Sequence, residues 1–279
     1  MPSGYVFADL DLARRLEATD AWVGLESSQI HAGLHPASGS AAAPIAGGYA
    51  VFTGVGSPLT QALGIGMNGI VTEADLDQLE EFFYRRGSPV HIELCPLADG
   101  SLLHLMSQRG YTLRGYTNML VRPIRPAEPG GPAATNINVR TCEPEEATVW
   151  ARTVAQGFAE AVVVSDENLD VLLSLFHRPN AQCVIAWIGE RAAGAGAFST
   201  HEGIAALYGA STLHQFRRQG VQSAIIRRLL ANASGAKCDL AYTLTHPGSI
   251  SQRSVIRQGF QVAYTRSTMV HPVPVQSSP

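Results

Sequence analysis

Phe216-Arg217-Arg218-Gln219-Gly220-Val221-Gln222-Ser223-Ala224 lies between an apolar run, Ile204 to Ala210, and an amphipathic run carried by Ala224, Ile225, Ile226, Leu229 and Leu230. The first run reads as a strand and the second as a helix. A basic, glycine-containing turn that opens a helix is a place to put phosphate. Gly220 has no Cβ, so the backbone there can come close to a ligand. The first-turn N–H groups of a helix have no partner inside it, and its macrodipole favours an anion at that end. Arg217 and Arg218 add formal charge and fork-shaped donors.

Working outward, Ile137 to Arg140 reads as a first strand and Pro144 to Gly157 as a first helix. Cys183 to Ile188, then Gly189-Glu190-Arg191, then Ala192 to Ser199 reads as a hairpin. After the loop helix, Cys238 to Leu244 reads as a strand. A short helix ends at Arg257-Gln258-Gly259-Phe260, and Gln261 to Val270 is a last strand. This order, over about residues 136–272, resembles that of the GNAT N-acetyltransferases. Arg217-x-x-Gly220-x-Gln222 is similar to their pyrophosphate-loop signature, usually Gln/Arg-x-x-Gly-x-Gly/Ala. The resemblance implies an α/β fold with a mixed (α+β) sheet, a mostly antiparallel central sheet flanked by helices. It also implies acetyl-CoA (coenzyme A) as cofactor.

The sequence departs from the family pattern in the loop, in the fourth helix and in the strand before the loop. The second small residue of the signature is Gln222, whose side chain must point away from the phosphates or hydrogen-bond to them. The fourth helix of many GNATs carries an Asn early and, near its end, a Tyr that serves as general acid; counting back from Gly259-Phe260, those places hold Gly248 and Val255. Either another group protonates the thiolate, or none is needed because a thiol leaves well unaided. GNATs often place a Glu on the strand before the loop, and Gly203 to Ala210 contains no acid.

Composition narrows the partners. The 279 residues fit two domains of ordinary size, and 46% hydrophobic with 15% charged residues describes a soluble, core-forming protein. A net charge of −3 argues against nucleic acid as a main partner. The apolar runs fall short of the ~20 residues that span a bilayer, so no membrane partner is expected. Met1-Pro2-Ser3-Gly4 has neither a basic nor an apolar leader region, and a cytoplasmic location is expected. Cys95, Cys142, Cys183 and Cys238 are scattered, without metal spacing, and read as buried thiols of a reducing compartment.

Arg122-Pro123-Ile124-Arg125-Pro126-Ala127-Glu128-Pro129-Gly130-Gly131-Pro132 is a Pro/Gly-rich linker. The expected domains are 1–122, a degenerate GNAT-like domain, and 136–279, the GNAT acetyltransferase domain, with 123–135 between them. The degeneracy rests on an internal repeat. Gly110-Tyr111 falls on Gly259-Phe260, an offset of 149 positions (259 − 110). Leu113, Leu120, Val121 and Pro123 then fall on Val262, Met269, Val270 and Pro272. Ala74 to Tyr84, a helix, falls on Ser223 to Ala233. Where the C-terminal half has Arg217 to Gly220, the N-terminal half has Asn68, Gly69, Ile70 and Val71. Its helix opens Thr72-Glu73-Ala74-Asp75, a capping-box pattern with carboxylates where pyrophosphate would sit. The N-terminal half is therefore expected to bind no CoA. Gly64-Ile65-Gly66-Met67-Asn68-Gly69 spells G-x-G-x-x-G, but the helix starts past its last Gly with its own cap, so it reads as a flexible or bulged strand region. Residues 24–48 are rich in Gly, Ala and Ser and read as a loop or poorly ordered excursion.

By the resemblance, backbone N–H groups from Gln219 through Gly220, Val221 and Gln222 to Ser223 hold the cofactor, with Arg217 and Arg218 as charge partners. Backbone N–H groups of Ala210, Ser211 and Thr212, on a strand end that bulges away from its neighbour in GNATs, stabilise the developing oxyanion. Pantetheine lies between that strand end and Tyr242 to Thr245. Ser251 and Arg253 reach the cofactor's far end, or else cap and solvate their helix. Candidates for the general base are His246, Tyr208, His201, Glu202 and Glu160, with His246 and Tyr208 carried forward as catalytic. Tyr208 also reads as a strand-packing aromatic and His246 as an exposed turn residue. Gly157-Phe158-Ala159-Glu160 and the run Ala161 to Val164 are expected to choose the acceptor; Asp166 and Glu167 attract an ammonium group or start a helix. The implied activity is transfer of acetyl from acetyl-CoA to an amine of a small molecule or amino acid. O-acetyl or longer acyl transfer, a silent acyl-CoA-binding or sensing protein, a protein-interaction module and a homodimer stay open.

Overall fold

The computed structural model of this chain describes residues 6–126, 136–158 and 166–274, the side chains of Glu167 and Asn168 excepted. The middle of the linker, the first four residues, Glu160 and the run Ala161 to Val164 lie outside the described residues. In chain order the elements are α1 (Leu10–Leu34), β1 (Ala41–Ile45), β2 (Gly48–Phe52), β3 (Gln61–Leu63), α2 (Glu73–Tyr84), β4 (Val90–Leu94), α3 (Gly100–Gln108) and β5 (Thr112–Pro123). There follow β6 (Asn138–Thr141), α4 (Ala147–Phe158), α5 (Asp166–Phe176), β7 (Ala181–Ile188), β8 (Arg191–His201), β9 (Ile204–Thr212), α6 (Val221–Gly235), β10 (Leu240–Thr245), α7 (Ile250–Ile256) and β11 (Gln261–His271). The architecture is mixed α/β, mostly antiparallel sheet flanked by helices. No helix among the described residues is long and apolar enough to cross a membrane.

The chain forms two compact units, and neither is one continuous stretch. One joins Ala8–Asn118 to Tyr264–Pro279; the other joins Met1–Phe7 to Met119–Ala263. Residues 264–274, expected with the C-terminal domain, thus count with the N-terminal unit, because β11 pairs antiparallel with β4 from Ser267↔Leu94 to His271↔Val90. In the N-terminal unit the strand order is β1-β2-β3-β4-β11-β5. In the C-terminal unit it is β5-β10-β9-β8-β7-β6, with β5 contributing its second half. The repeat is visible in the element starts: β5 begins at Thr112 and β11 at Gln261, again 149 apart (261 − 112).

In the C-terminal unit α6 presents Val221, Ile225 and Leu229, and beside them Ile226, Leu230 and Ala233, to a core of Val184, Phe198, Ala205, Leu207 and Ala241. This i, i+4 spacing is what made the helix legible. On the sheet's other side Trp150 of α4 packs on Ile185, Ala195 and Ala197, and its indole N–H donates to the Gly196 carbonyl at 3.0 Å. In the N-terminal unit Leu76, Leu79 and Phe83 of α2 and Leu102 and Met106 of α3 share a core with Ala62 and Ile92.

The reading of residues 24–48 is corrected. Residues up to Leu34 complete α1, and β1 begins at Ala41. The small residues there make close contacts. A Cβ at Gly24 would come within 3.0 Å of Leu63 and 3.1 Å of Val51, so α1 lies tightly on β2 and β3. Ser27 and Ser28 are buried with their hydroxyls donating back to the carbonyls of Val23 and Leu25. Because α1 also buries Glu17, Asp20 and Glu26, its inward face is not apolar and no hydrophobic period shows.

The capping box of α2 forms as expected. The Asp75 N–H donates to the Thr72 hydroxyl oxygen at 3.2 Å, and the Thr72 N–H donates to the Asp75 carboxylate at 2.8 Å. The Thr72 hydroxyl and N–H hold the Asp75 carboxyl below its ordinary range. That contribution to stability is present above the ordinary value near 3.8 and is lost as pH falls through the lowered value. Thr72→Ala should cost about 1 kcal/mol in denaturant titration, with no change in ligand binding. The Gly64 to Gly69 stretch is a turn after β3, its Gly66 carbonyl accepting from the Asp99 N–H at 2.9 Å.

Candidate functional site

The site is built where β9 leaves its neighbours. β9 runs parallel to β10 from Ile204↔Leu240 to Leu207↔Thr243, and the pairing ends there. On its other edge β9 pairs with β8, and the register shifts between Ala195 and Ala197: Ser211 faces Ala195 while Tyr208 faces Ala197. Gly209 and Ala210 therefore stand opposite the single residue Gly196, a two-against-one bulge. Gly209 takes φ +67, and a Cβ there would come within 3.3 Å of the Trp150 ring. Only glycine meets both demands easily. Beyond Leu207↔Thr243 the ends of β9 and β10 are no longer paired with each other, and this parting of the two strand ends forms a wedge in the sheet.

The α4 end packs against the bulged strand. A Cβ on Gly157 would fall 2.5 Å from the Ser211 side chain, and the Ser211 hydroxyl donates to the Thr153 carbonyl at 3.4 Å. The Arg217 guanidinium donates to the Gly157 carbonyl at 3.2 Å, so this arginine ties the loop to the C-terminal turn of α4. Arg218 is exposed and sits at φ +65, a left-handed turn that precedes Gly220.

The start of α6 is open to an anion. Its N-cap is Gly220 at φ +88, no side chain caps it, and its first turn holds no acid. A Cβ on Gly220 would meet nothing within 4 Å. Ala224 makes the first helical bond, to the Gly220 carbonyl at 3.0 Å, which leaves the N–H groups of Val221, Gln222 and Ser223 for another acceptor. The Gln222 side chain points to the bulge, its amide donating to the Ala210 carbonyl at 3.5 Å. Gln219 donates its side-chain amide to the Gln215 carbonyl at 3.2 Å. Of the two arrangements open to Gln222, the structure thus takes the one directed away from the helix start.

The other sequence candidates are distributed around this wedge. The Tyr208 hydroxyl donates to the Leu175 carbonyl at 3.1 Å, and Arg178 lies over its ring at 5.3 Å, an embedded packing role. His246 is an exposed residue of the turn after β10, its carbonyl accepting from the Ser249 N–H at 3.2 Å. Ser249 is the N-cap of α7, its hydroxyl accepting from the Gln252 N–H at 3.1 Å, so capping does not fall to Ser251, which is half-buried one position into the helix. Gly248 lies in the turn before α7, and Val255 is buried in the core. All four cysteines are unpaired; burial pushes the Cys142 thiol up to about 12 and Cys238 up to about 11. None is a ready nucleophile.

By sequence, no known protein family and no curated relative matches this chain. By structure, a GCN5-related N-acetyltransferase from Kribbella flavida matches 94% of this chain and 98% of its own at a TM-score of 0.68 and 14% identity. A tandem GNAT protein from the clavulanic acid biosynthesis pathway matches 95% of this chain and 96% of its own, with a TM-score of 0.59 and 12% identity. This chain has the tandem GNAT fold. A GCN5-related N-acetyltransferase from Sphaerobacter thermophilus matches 67% of it at a TM-score of 0.52 and 13% identity, covering 60% of that chain. Within the tandem GNAT fold the two halves differ at one helix start. The α6 start is bare, whereas α2 is closed by Thr72 and Asp75 with Glu73 beside them.

Two contributors escaped the sequence reading. Gly209, mid-strand beside Tyr208, carries the bulge; a lone glycine in a strand pattern is the signal that could have found it. The Arg217 tie to Gly157 had no local signal, since its partner lies 60 positions away.

Proposed function

We propose that this protein is an acetyl-CoA-dependent N-acetyltransferase that modifies an amine of a small molecule or amino acid, with one cofactor site, in the C-terminal unit. The uncapped, acid-free start of α6 beside the bulged end of β9 carries this reading. The residues present fit the cofactor: free backbone donors for a pyrophosphate, an exposed arginine beside them, and an open wedge for a slender arm. Bound there, acetyl-CoA supplies the thioester whose acetyl group is transferred.

Each residue then has a task. The N–H groups of Gly220, Val221, Gln222 and Ser223 bind phosphate oxygens, with Arg218 as the charge partner and Arg217 fixing the loop on α4. Gln222 steadies the bulge through Ala210. The backbone N–H groups of the strand end Ala210 to Thr212 that point away from β8 supply the donors for the acyl oxygen, where a rigid donor lowers the barrier by several kcal/mol in general. Ser251, half-buried on α7, contacts the far end of the cofactor. Tyr208 has its proton committed to Leu175, so base duty falls to His246 at the mouth of the wedge. His246→Ala should lower kcat about a hundredfold while the KM for acetyl-CoA stays within about twofold. The N-terminal unit, with its self-capped α2, takes no coenzyme.

The test is release of free CoA with acetyl-CoA and a panel of small amines and amino acids, acetylated products being identified by mass. Turnover that falls in His246→Ala supports the reading. CoA bound without turnover across the panel would favour a silent acyl-CoA sensor, a reading motivated by the acid-free strand Gly203 to Ala210 and by Val255 in the core.

A further inference from the structure

The strand order of the C-terminal unit ends on β6, which pairs antiparallel with β7 from Asn138↔Trp187 to Thr141↔Val184. The ladder runs one rung further: the Cys142 N–H donates to the Cys183 carbonyl at 2.9 Å. Cys142 and Cys183 are therefore directly opposite each other on adjacent strands, a hydrogen-bonded pair. Opposite residues of such a ladder point their side chains to one face. Both cysteines do so here, since Cys142 packs against the cluster that holds Cys183 with Trp150 and Ile185. Both are free thiols.

The spacing suits a disulfide. Opposite residues of a hydrogen-bonded pair have Cα atoms about 5.5 Å apart, inside the range of about 4.4–6.8 Å that a disulfide spans. Their Cβ atoms, about 5 Å apart in such a pair, need about 4 Å in a disulfide, so the strands must draw in by about 1 Å. A central strand, held on both edges, resists that movement. Among the described residues β6 has a neighbour on one edge only. Cys238 and Cys95 share no such rung: the first lies in the turn before β10, and the second follows β4 in the other unit.

We infer that Cys142 and Cys183 form a reversible redox clasp, a modification site that takes a small-molecule disulfide as oxidant and ends as a bond between β6 and β7. Cys142, half-exposed at the end of β6, loses its proton and attacks one sulfur of the oxidant; that S–S bond breaks and one small thiol leaves. Cys183 then loses its proton and attacks the Cys142 sulfur of the mixed disulfide, expelling the second small thiol. Two protein thiols become one disulfide, and the oxidant becomes two thiols that carry the two protons. The bond closes residues 142–183 into a loop that carries α4 and α5. Burial holds both thiols protonated, so closure is slow and the pair answers sustained oxidation, not a brief pulse. The inference is independent of the cofactor reading.

The experiment incubates the protein with oxidised glutathione at about pH 8.5, where more thiolate is present, then blocks free thiols and maps peptides by mass. The expected product has lost two hydrogens, joins the Cys142 and Cys183 peptides, reverts with dithiothreitol, and leaves Cys95 and Cys238 reduced. It should melt about 5 °C above the reduced form, because the bond restricts the unfolded chain. Cys183→Ser should stop at a glutathione adduct on Cys142, and Cys142→Ser should form no crosslink. Should either variant misfold, the peptide map of the wild type decides by itself. A folded wild type that keeps all four thiols free after prolonged exposure would overturn the clasp. So would a crosslink that forms only in denaturant, one that engages Cys95 or Cys238 instead, or one that lowers the melting temperature.

Discussion

Gly220→Asp is expected to abolish acetyl-CoA binding in calorimetry, a loss of about a hundredfold or more, while the protein stays folded. The backbone there is left-handed, at φ +88, and a Cβ would meet nothing within 4 Å. Aspartate tolerates that conformation better than most residues, so the cost to stability is about 1 kcal/mol. Its carboxylate would accept from the first-turn N–H groups of α6 and place a negative charge where the pyrophosphate belongs. Helix-end charge effects reach about 2 kcal/mol, and two like charges about 4 Å apart add about 4 kcal/mol near a surface. The variant would make α6 resemble α2, which Thr72 and Asp75 already close. Arg217→Glu should compound the loss by breaking the tie to the Gly157 carbonyl. Matching charge changes at Asn68 and Gly69 in the N-terminal unit should leave binding untouched. Wild-type affinity in Gly220→Asp would remove the α6 start from the site and the main support for the proposed activity.

The contrast between α6 and α2 shows which features a sequence exposes. A cap, a glycine before a helix and an i, i+4 apolar stripe are local, so the helices, the hairpin, the loop and the offset between the halves could be read directly. Strand exchange between halves could not. The run Gln261 to Val270 reads as a strand anywhere, and its place beside β4 depends on pairing with residues over 170 positions away. Helix α1 was hidden for a different reason. Its buried face carries Glu17, Asp20, Ser27 and Ser28, polar residues satisfied by the fold and indistinguishable in sequence from those of a loop. At the site, the phosphate loop was legible because its chemistry is contiguous. The tie of Arg217 to the Gly157 carbonyl was not, since its partner lies 60 positions away.

Arg266→Ala should be the most damaging single change in the N-terminal unit, costing about 3–5 kcal/mol in denaturant titration. Arg266 is fully buried on β11 between two acids of α1. It donates to the Glu17 carboxylate at 2.8 Å and to Asp20 at 2.5 Å, and the Tyr264 hydroxyl donates to Glu17 at 2.7 Å. Burial opposes the charge on Arg266, but Glu17 and Asp20 outweigh it and hold the guanidinium well above its ordinary range. For Glu17 burial wins: its carboxyl is pushed up, with Arg266 and Tyr264 pulling against the rise. The two directions agree once the charges are counted, since one cation serves two carboxylates. Cys95 lies within the field of Glu17 and Arg266, and burial, with the Glu17 charge adding to it, pushes its thiol up to about 12. Removing Arg266 takes its guanidinium from both Glu17 and Asp20, and Glu17 must rise further. A carboxyl raised by folding stabilises fully below its ordinary value of 4.5, and that contribution is lost as pH climbs through the folded value. The deficit of Arg266→Ala against wild type should therefore be small near pH 4 and widen towards neutrality. Arg266→Met combined with Glu17→Leu and Asp20→Leu should recover most of the loss, because apolar groups of similar volume carry no desolvation penalty. A deficit under about 1 kcal/mol, or one that does not change with pH, would show that the cluster is not what fastens α1 to β11.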